Sequence, residues 1–554
     1  MRKRVLLVSL MALLSGCAGI PNSGPVVQGQ RVDVVRSDGY VRVIARPPAE
    51  GMAQDALVRG FLSACASVAD GDVTARDYLT ANASRSWSPQ QLIQVYDASG
   101  LTVTADHGDA IAFKAPLLGT IDATHRYRAA AAGTFIDETF QLTQVRGQWR
   151  IGSTPKALYL GEADVARSYR VRELYFLNQD RSRLVPEYVV LPVGIGNLPT
   201  LLMRGLLSGP TTTDSASLAT AVPQGAVMTS VSIDGVTASV QFSGGGLASN
   251  DVVRQALAAQ VTWTLTQLPN VQTVRIYTDG SPMPLVSKRT LFSRSGLAMF
   301  DPAPQVANRS LSYVRGDLVY SLRDGEQKTW DPGFPASAVA LAQDGLRATV
   351  SNTHKLITVQ SGTDAIYPIF AGVDLAAPAA LANHEVWFVD REAKGGLFVW
   401  TATRGVAAVS TGLRATARIL DYAIAADGTR IALIVNDGAT TTLRVGQIVR
   451  SVGETRVVGL SRIEQRLTSV VTVDWEGESS LLVLGAVGAV AVQPVRVTIP
   501  LGGLTLLGGP ANAISLAAAP GAPIVVGDLA GQLWMYTDNR WSASELAAAP
   551  THTL

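Results

Sequence analysis

Ala425-Ala426-Asp427-Gly428-Thr429-Arg430 echoes Ala342-Gln343-Asp344-Gly345-Leu346-Arg347, 83 residues earlier. The interval suits two repeats of about 41 residues, the length of a four-stranded propeller blade. Around these copies, residues 300–550 carry short apolar runs separated by Gly and Asp turns: 311–322, 338–360, 379–400, 420–445, 470–497 and 514–536. The pattern predicts an all-β domain of about six blades, closed into a ring that hides its strand edges. Trp330, Trp387, Trp400, Trp475, Trp534 and Trp541 are spread over the blades, where packing is their expected role. Asp234, Asp279, Asp344 and Asp427 each precede Gly. That is the composition of turns, not of calcium loops with ligands at alternating positions.

Upstream, residues 170–282 read as an α+β unit. Strands are expected at 171–177 and 184–191, then an amphipathic helix through Leu198, Leu201, Leu202 and Leu206 that stops at Ser208-Gly209-Pro210. Stretches 227–233 and 236–242 flank Asp234-Gly235, a hairpin turn. Val253, Leu257, Val261, Leu265 and Leu268 mark a second helix, followed by a strand at 274–277. The ordered set, from the Tyr-Phe strand to the helix ending Leu-Pro-Asn-Val, is similar to a GerMN domain. That resemblance implies binding or assembly in cell-envelope and spore proteins, without known catalysis.

Residues 47–160 form an earlier unit. Pro47-Pro48 precedes a helix expected over 52–69, closed by Asp70-Gly71, and a shorter one over 74–79. Strand-like stretches follow at 101–105 and 110–128, then a hairpin over 133–151 with Arg146-Gly147 near its turn. One long helix and a curved meander ending Gly147-Gln-Trp-Arg-Ile151 resemble the NTF2-like, or cystatin-like, fold. Cys65 falls in line with Leu57, Phe61 and Val68 on the helix's apolar face, a buried structural thiol.

At the start, Arg2-Lys3-Arg4 precedes residues 5–14, apolar except for Ser9, and Leu14-Ser15-Gly16-Cys17 closes the segment. Charged start, short apolar run and small residues describe a signal peptide over residues 1–16. As a helix the run rises only about 15 Å, too short to span a membrane. The Leu-Ser-Gly-Cys ending resembles a bacterial lipobox. The resemblance implies cleavage after Gly16 and an N-palmitoyl, S-diacylglycerol Cys17, with residues 17–46 as a lipidated tether. Fully extended, the tether reaches at most about 100 Å; an edge strand at 32–44 is expected within it.

Lipobox, NTF2-like unit, GerMN unit and propeller, in that order, resemble the LpqB family of actinobacterial lipoproteins, as does Cys17-Ala-Gly-Ile-Pro-Asn-Ser-Gly-Pro25. The resemblance implies anchoring at the cell membrane on its extracytoplasmic face. It also implies association with the MtrA/MtrB two-component system through the extracytoplasmic domain of the sensor kinase MtrB. The fold class is thus multidomain, α+β and then all-β.

Bulk composition fits a tethered globular body: 47% hydrophobic, 16% charged, net charge +2. No basic concentration points to nucleic acid. His-Glu-x-x-His, Gly-x-Ser-x-Gly and Cys-x-x-Cys signatures are absent from the sequence. The histidines, at 107, 125, 354, 384 and 552, form no close pair, and His384-Glu385 reads as a structural pair in a blade strand. Ser243-Gly-Gly-Gly246 lacks the Lys of a P-loop. No catalytic residue, metal or cofactor is expected. Three functions stay open: an accessory protein for a membrane sensor, an envelope binder of glycan or lipid using the propeller face or NTF2-like pocket, and a hydrolase with an unrecognised propeller site.

Overall fold

The computed structural model describes residues 45–552 except 68–71, 195, 212–215, 245–249, 286–287, 304–310, 324–325, 343–344, 363–364, 382, 439, 465 and 548–549. Cys17, the strand expected at 32–44, and Asp344 lie outside the described residues. No described helix is long and apolar enough to cross a membrane.

In the first domain the helix Gln54–Cys65 buries Leu57, Val58, Phe61, Leu62 and Cys65. It ends short of residue 69 because Ala66 and Ser67 bond back three residues, to Ser63 and Ala64, tightening the last turn. The helix packs on a sheet ordered Gln148–Ile151, Phe135–Val145, Ala110–Asp122, Leu92–Tyr96, Leu158–Gly161, with two short strands also on Ala110–Asp122. Arg146 and Gly147 both take positive φ, which closes the hairpin with a twist matching its strands. Phe61, Phe113, Phe140 and Tyr159 interlock in the core, with ring centroids 5.2–6.4 Å apart. Burial pushes the Cys65 thiol far up, so it stays protonated and inert.

The second domain begins with the hairpin Tyr169–Asn178 and Leu184–Pro192. Its four-stranded sheet runs Val227–Asp234, Thr237–Ser243, Thr273–Thr278, Ser281–Pro282. The central pair is parallel, which demands a crossover, and the helix Asp251–Leu265 supplies it. Asn250 caps that helix by accepting from the Val252 N–H at 2.9 Å. From Ala256 to Leu265 every residue of the helix is buried, Gln260 among them, whose amide donates to the Tyr175 carbonyl at 3.0 Å and accepts from the Ala221 N–H at 2.6 Å. The other helix, Leu198–Leu207, lies so close to the hairpin that a Cβ on Gly205 would meet Leu174 at 2.8 Å.

The third domain is a propeller. Among the described residues it comprises six four-stranded sheets. Five are continuous in sequence, at 336–371, 379–408, 418–462, 467–506 and 513–547. The remaining one, counted as blade 1, combines Leu311–Arg315, Leu318–Arg323 and Glu326–Trp330 with Pro550–His552 from the chain's end. That returning strand completes the blade beside Leu311–Arg315, closing first blade on last. The apolar periodicity of blade 1 does not announce it.

Neighbouring blades are tied by side chains that bond the next blade's backbone. Asp421 accepts from the Val473 N–H at 3.3 Å, and Asp474 from the Ala518 N–H at 2.8 Å. The Tyr422 hydroxyl donates to the Trp387 carbonyl at 2.7 Å, and Trp475 Nε1 to the Ala423 carbonyl at 3.1 Å. Trp387 and Trp475 are therefore packing residues with their N–H groups satisfied, the usual condition for burying indole.

Candidate functional site

Two features could carry function: the propeller's central channel, and a cleft where all three domains meet. The channel, about 300 Å³, is lined mainly by the first strands of blades 2 to 6, with small residues such as Ala338, Ala380 and Ala423. Several of its polar groups are engaged, whereas the buried Ser515 hydroxyl has no hydrogen-bond partner among the described residues. Burial raises the Asp421 carboxyl, an effect only partly offset by the Thr472 hydroxyl and backbone N–H groups. Arg391 donates to the Leu420 carbonyl at 2.7 Å and to Asp374 at 3.1 Å. His354 Nδ1 lies 3.1 Å from the Leu375 carbonyl oxygen.

The second feature starts from the Asp-Gly-x-Arg stretch of blade 4. The Asp427 side chain is fully buried and accepts from the Thr429 and Arg430 N–H groups at 2.7 and 3.0 Å, forming the turn. The same carboxylate takes Arg430 Nε at 2.6 Å, aiming the guanidinium out of the blade. There Arg430 stacks on Trp475 at 4.7 Å and donates to the Tyr188 hydroxyl at 2.5 Å and to the Glu478 carbonyl. Tyr188 also donates to that carbonyl, and the Tyr175 hydroxyl donates to the Glu478 carboxylate at 2.7 Å. Tyr175 and Tyr188 belong to the second domain's hairpin, so blades 4 and 5 grip it. Burial opposes the charge on Arg430, but Asp427, Tyr188 and Glu478 together more than compensate. Burial and the Glu478 charge push Glu173 up to about 7, and burial raises Glu478 as well.

The first domain joins the same place. The Val190 N–H donates to the His125 carbonyl at 2.8 Å, and Arg126 pairs with the buried Glu187. On the propeller, Arg466 bridges Glu464 at 2.9 Å and the first domain's Glu162 at 3.1 Å. Between the domains lies a cleft of about 320 Å³ walled by Tyr127, Arg128, Tyr188, Arg430 and Gln447. Arg126, Glu187, Tyr188 and Arg430 are bonded to one another or to neighbours. These four side chains form a fixed pattern of charge.

Of the residues singled out in the sequence, His125, His354 and His384 occupy tight positive-φ turns, and His107 is exposed beside Asp106. His552 sits in the closing strand. Among the described residues no group of three His, Cys, Asp or Glu could hold a metal. Glu385 accepts from Arg450, at 2.8 and 2.9 Å, and from the Trp387 indole at 2.8 Å. These hold its carboxyl below the usual range despite burial. Tyr175, Tyr188 and Glu478 were not singled out from sequence; the one available signal was Arg430 three residues after Asp427.

Comparison with known proteins covers each part. Residues 47–166 match the model described as Lipoprotein LpqB, N-terminal domain; 173–284 match Sporulation and spore germination; 327–551 match Lipoprotein LpqB beta-propeller domain. A Lipoprotein LpqB from Cutibacterium acnes is 28% identical, with 94% of this chain and 92% of the relative covered. One from Thermobifida fusca is 27% identical, covering 94% and 93%. Among solved structures, TolB from Acinetobacter baumannii superposes on 59% of this chain and 99% of its own, at 12% identity and a TM-score of 0.36. That likeness is too loose to bear on function.

Proposed function

Because the chain belongs to the LpqB lipoprotein family, we propose that it binds the extracytoplasmic domain of an MtrB-like sensor kinase and modulates two-component signalling without catalysing a reaction. In this reading Cys17 carries the lipid and holds the body on the outer face of the cell membrane. The first domain is taken as NTF2-like and the second as a GerMN domain. The observation that favours a binding body over an enzyme is the three-domain junction, whose buried polar groups are spent on joining domains. Joined domains present surfaces in fixed relation, which lets binding free energy discriminate between sensor states. Such discrimination is required, since a partner with equal affinity for both states shifts nothing.

Two experiments test the proposal. Cys17→Ser should move the protein from the membrane fraction to the soluble or secreted fraction; continued membrane association would remove the lipid anchor. Titrating residues 18–554 with the sensor's purified extracytoplasmic domain should give saturable binding at micromolar concentration or better. Absence of binding with both proteins folded, and again with both tethered to one vesicle to raise effective concentration, would remove the sensor.

Binding of envelope glycan or lipid is the alternative. The channel gives it a cavity, but Tyr422 is the one aromatic side chain in the described lining and its hydroxyl is committed to Trp387. Sugar-binding platforms need an open aromatic face, so this reading stands second.

A further inference from the structure

The second domain's sheet ends on the strand Val227–Asp234, which pairs only with Thr237–Ser243 among the described strands. Counting back from the two-residue Gly235-Val236 turn, Asp234–Thr237 and Ser232–Ser239 are the hydrogen-bonded pairs. Val231 and Ile233 therefore turn N–H and C=O outward, and among the described residues neither finds another backbone partner. The described outer strands of the propeller carry features that resist strand pairing. They contain Lys328, Pro368, Arg456 or Arg540, or, at Gly405–Ala408 and Gly503–Leu506, are four residues long. Val227–Asp234 runs for eight residues without Lys, Arg or Pro. Its one irregularity, a register shift between Met228 and Ser230, leaves Ser230–Asp234 regular.

A groove of about 470 Å³ opens beside this strand. Thr200, Arg204 and Leu207, spaced i, i+4, i+7 on the helix Leu198–Leu207, form one wall; Val227, Met228 and Val231 form the other. Val227 is 58% exposed, and Leu207, Met228 and Val231 are half-buried. Arg204 is exposed and makes no ion pair among the described residues. Helix beside open strand, apolar wall and one uncompensated cation together describe a slot for an extended chain.

We propose that this edge and groove take an extended segment of a partner protein by strand addition, the segment placing apolar side chains in the groove and a carboxylate on Arg204. The proposal rests on the reading that the chain docks a protein. Main-chain pairing at Val231 and Ile233 supplies affinity, and the groove supplies selectivity.

The test selects a random-octapeptide phage library on residues 18–554 and measures the selected peptides by fluorescence anisotropy. Two variants are compared with the parent: Arg204→Glu, which alters only an exposed side chain, and Val231→Pro, which deletes an outward N–H while sparing the ladder to Thr237–Ser243. Melting curves establish that each is folded. Peptides alternating apolar residues with Asp or Glu should dominate and lose at least tenfold in affinity on either folded variant. Peptides that bind both variants as tightly as the parent, or a selection yielding no edge-dependent binder, would overturn the proposal. So would dimerisation of the parent abolished by the same substitutions, which would make a second copy the occupant. The sensor domain is titrated separately. If peptides require the edge but the sensor does not bind, the sensor reading falls and the edge stands. If the sensor binds parent and variants alike, the edge is not its docking face.

Discussion

Blades 2 and 4 carry the same Asp-Gly-x-Arg signature and use its arginine differently. Arg347 stacks on Trp330 of the neighbouring blade at 4.8 Å and reaches Gln360 at 3.3 Å, staying within the propeller. Arg430 also stacks on a neighbouring blade's tryptophan, but continues to Tyr188 and locks the second domain. The repeat sets where the guanidinium emerges; what it meets there sets its role. One repeat position thus serves blade packing in one copy and domain assembly in the other.

Substituting the two arginines in parallel separates these roles. Arg430→Ala leaves the Asp427 carboxylate buried without its partner and should cost about 3–5 kcal/mol by denaturant unfolding. Arg347→Ala, at a half-buried site, should cost about 1 kcal/mol or less. Equal losses would dissolve the distinction.

The junction should also respond to pH. Glu173 holds its proton up to about 7 in the fold, against about 4.3 in an unfolded chain, so the folded state binds more protons between those values. Stability should therefore fall as pH rises from about 4.3 to 7 and level off above, by at most about 4 kcal/mol. Raised Glu478 acts in the same direction. Glu173→Gln should flatten the profile and raise the melting temperature at pH 8; an unchanged profile would acquit this residue.

Smaller effects sharpen the contrast between buried and rim contacts. Trp475→Phe removes an indole donor from the Ala423 carbonyl and should cost about 1–2 kcal/mol, read from the denaturation midpoint. Glu162→Gln, breaking a half-exposed bridge between first domain and propeller while leaving Arg466 on Glu464, should cost under about 1 kcal/mol and less still at high salt.

Much of the architecture is written in local pattern. The 41-residue echo and six apolar runs announce the propeller because each blade must bury its own strands. The Gly235 and Arg146-Gly147 turns announce hairpins because few residues accept positive φ. Long-range partners are less legible. Pro550–His552 is too short to show a period, and its role depends on meeting Leu311–Arg315 more than 230 residues earlier. The junction is similarly opaque: Tyr175 to Glu478 spans 303 residues, and neither side chain departs from ordinary strand or turn composition. Asp427 looked like any Asp-Gly turn, and only its burial under Arg430 distinguishes it.

If Arg430 and Glu478 hold the second domain and propeller together, hydrogen exchange will register their loss in both. Amide protection across the hairpin strand Leu184–Pro192 would be compared between residues 18–554 and their Arg430→Ala variant, under conditions where both stay folded. The variant should lose protection at 184–192 and around 475–481 together, while the inner strands of blades 2 and 3 keep theirs. Protection unchanged at both places would show that the domains are held by something other than this junction.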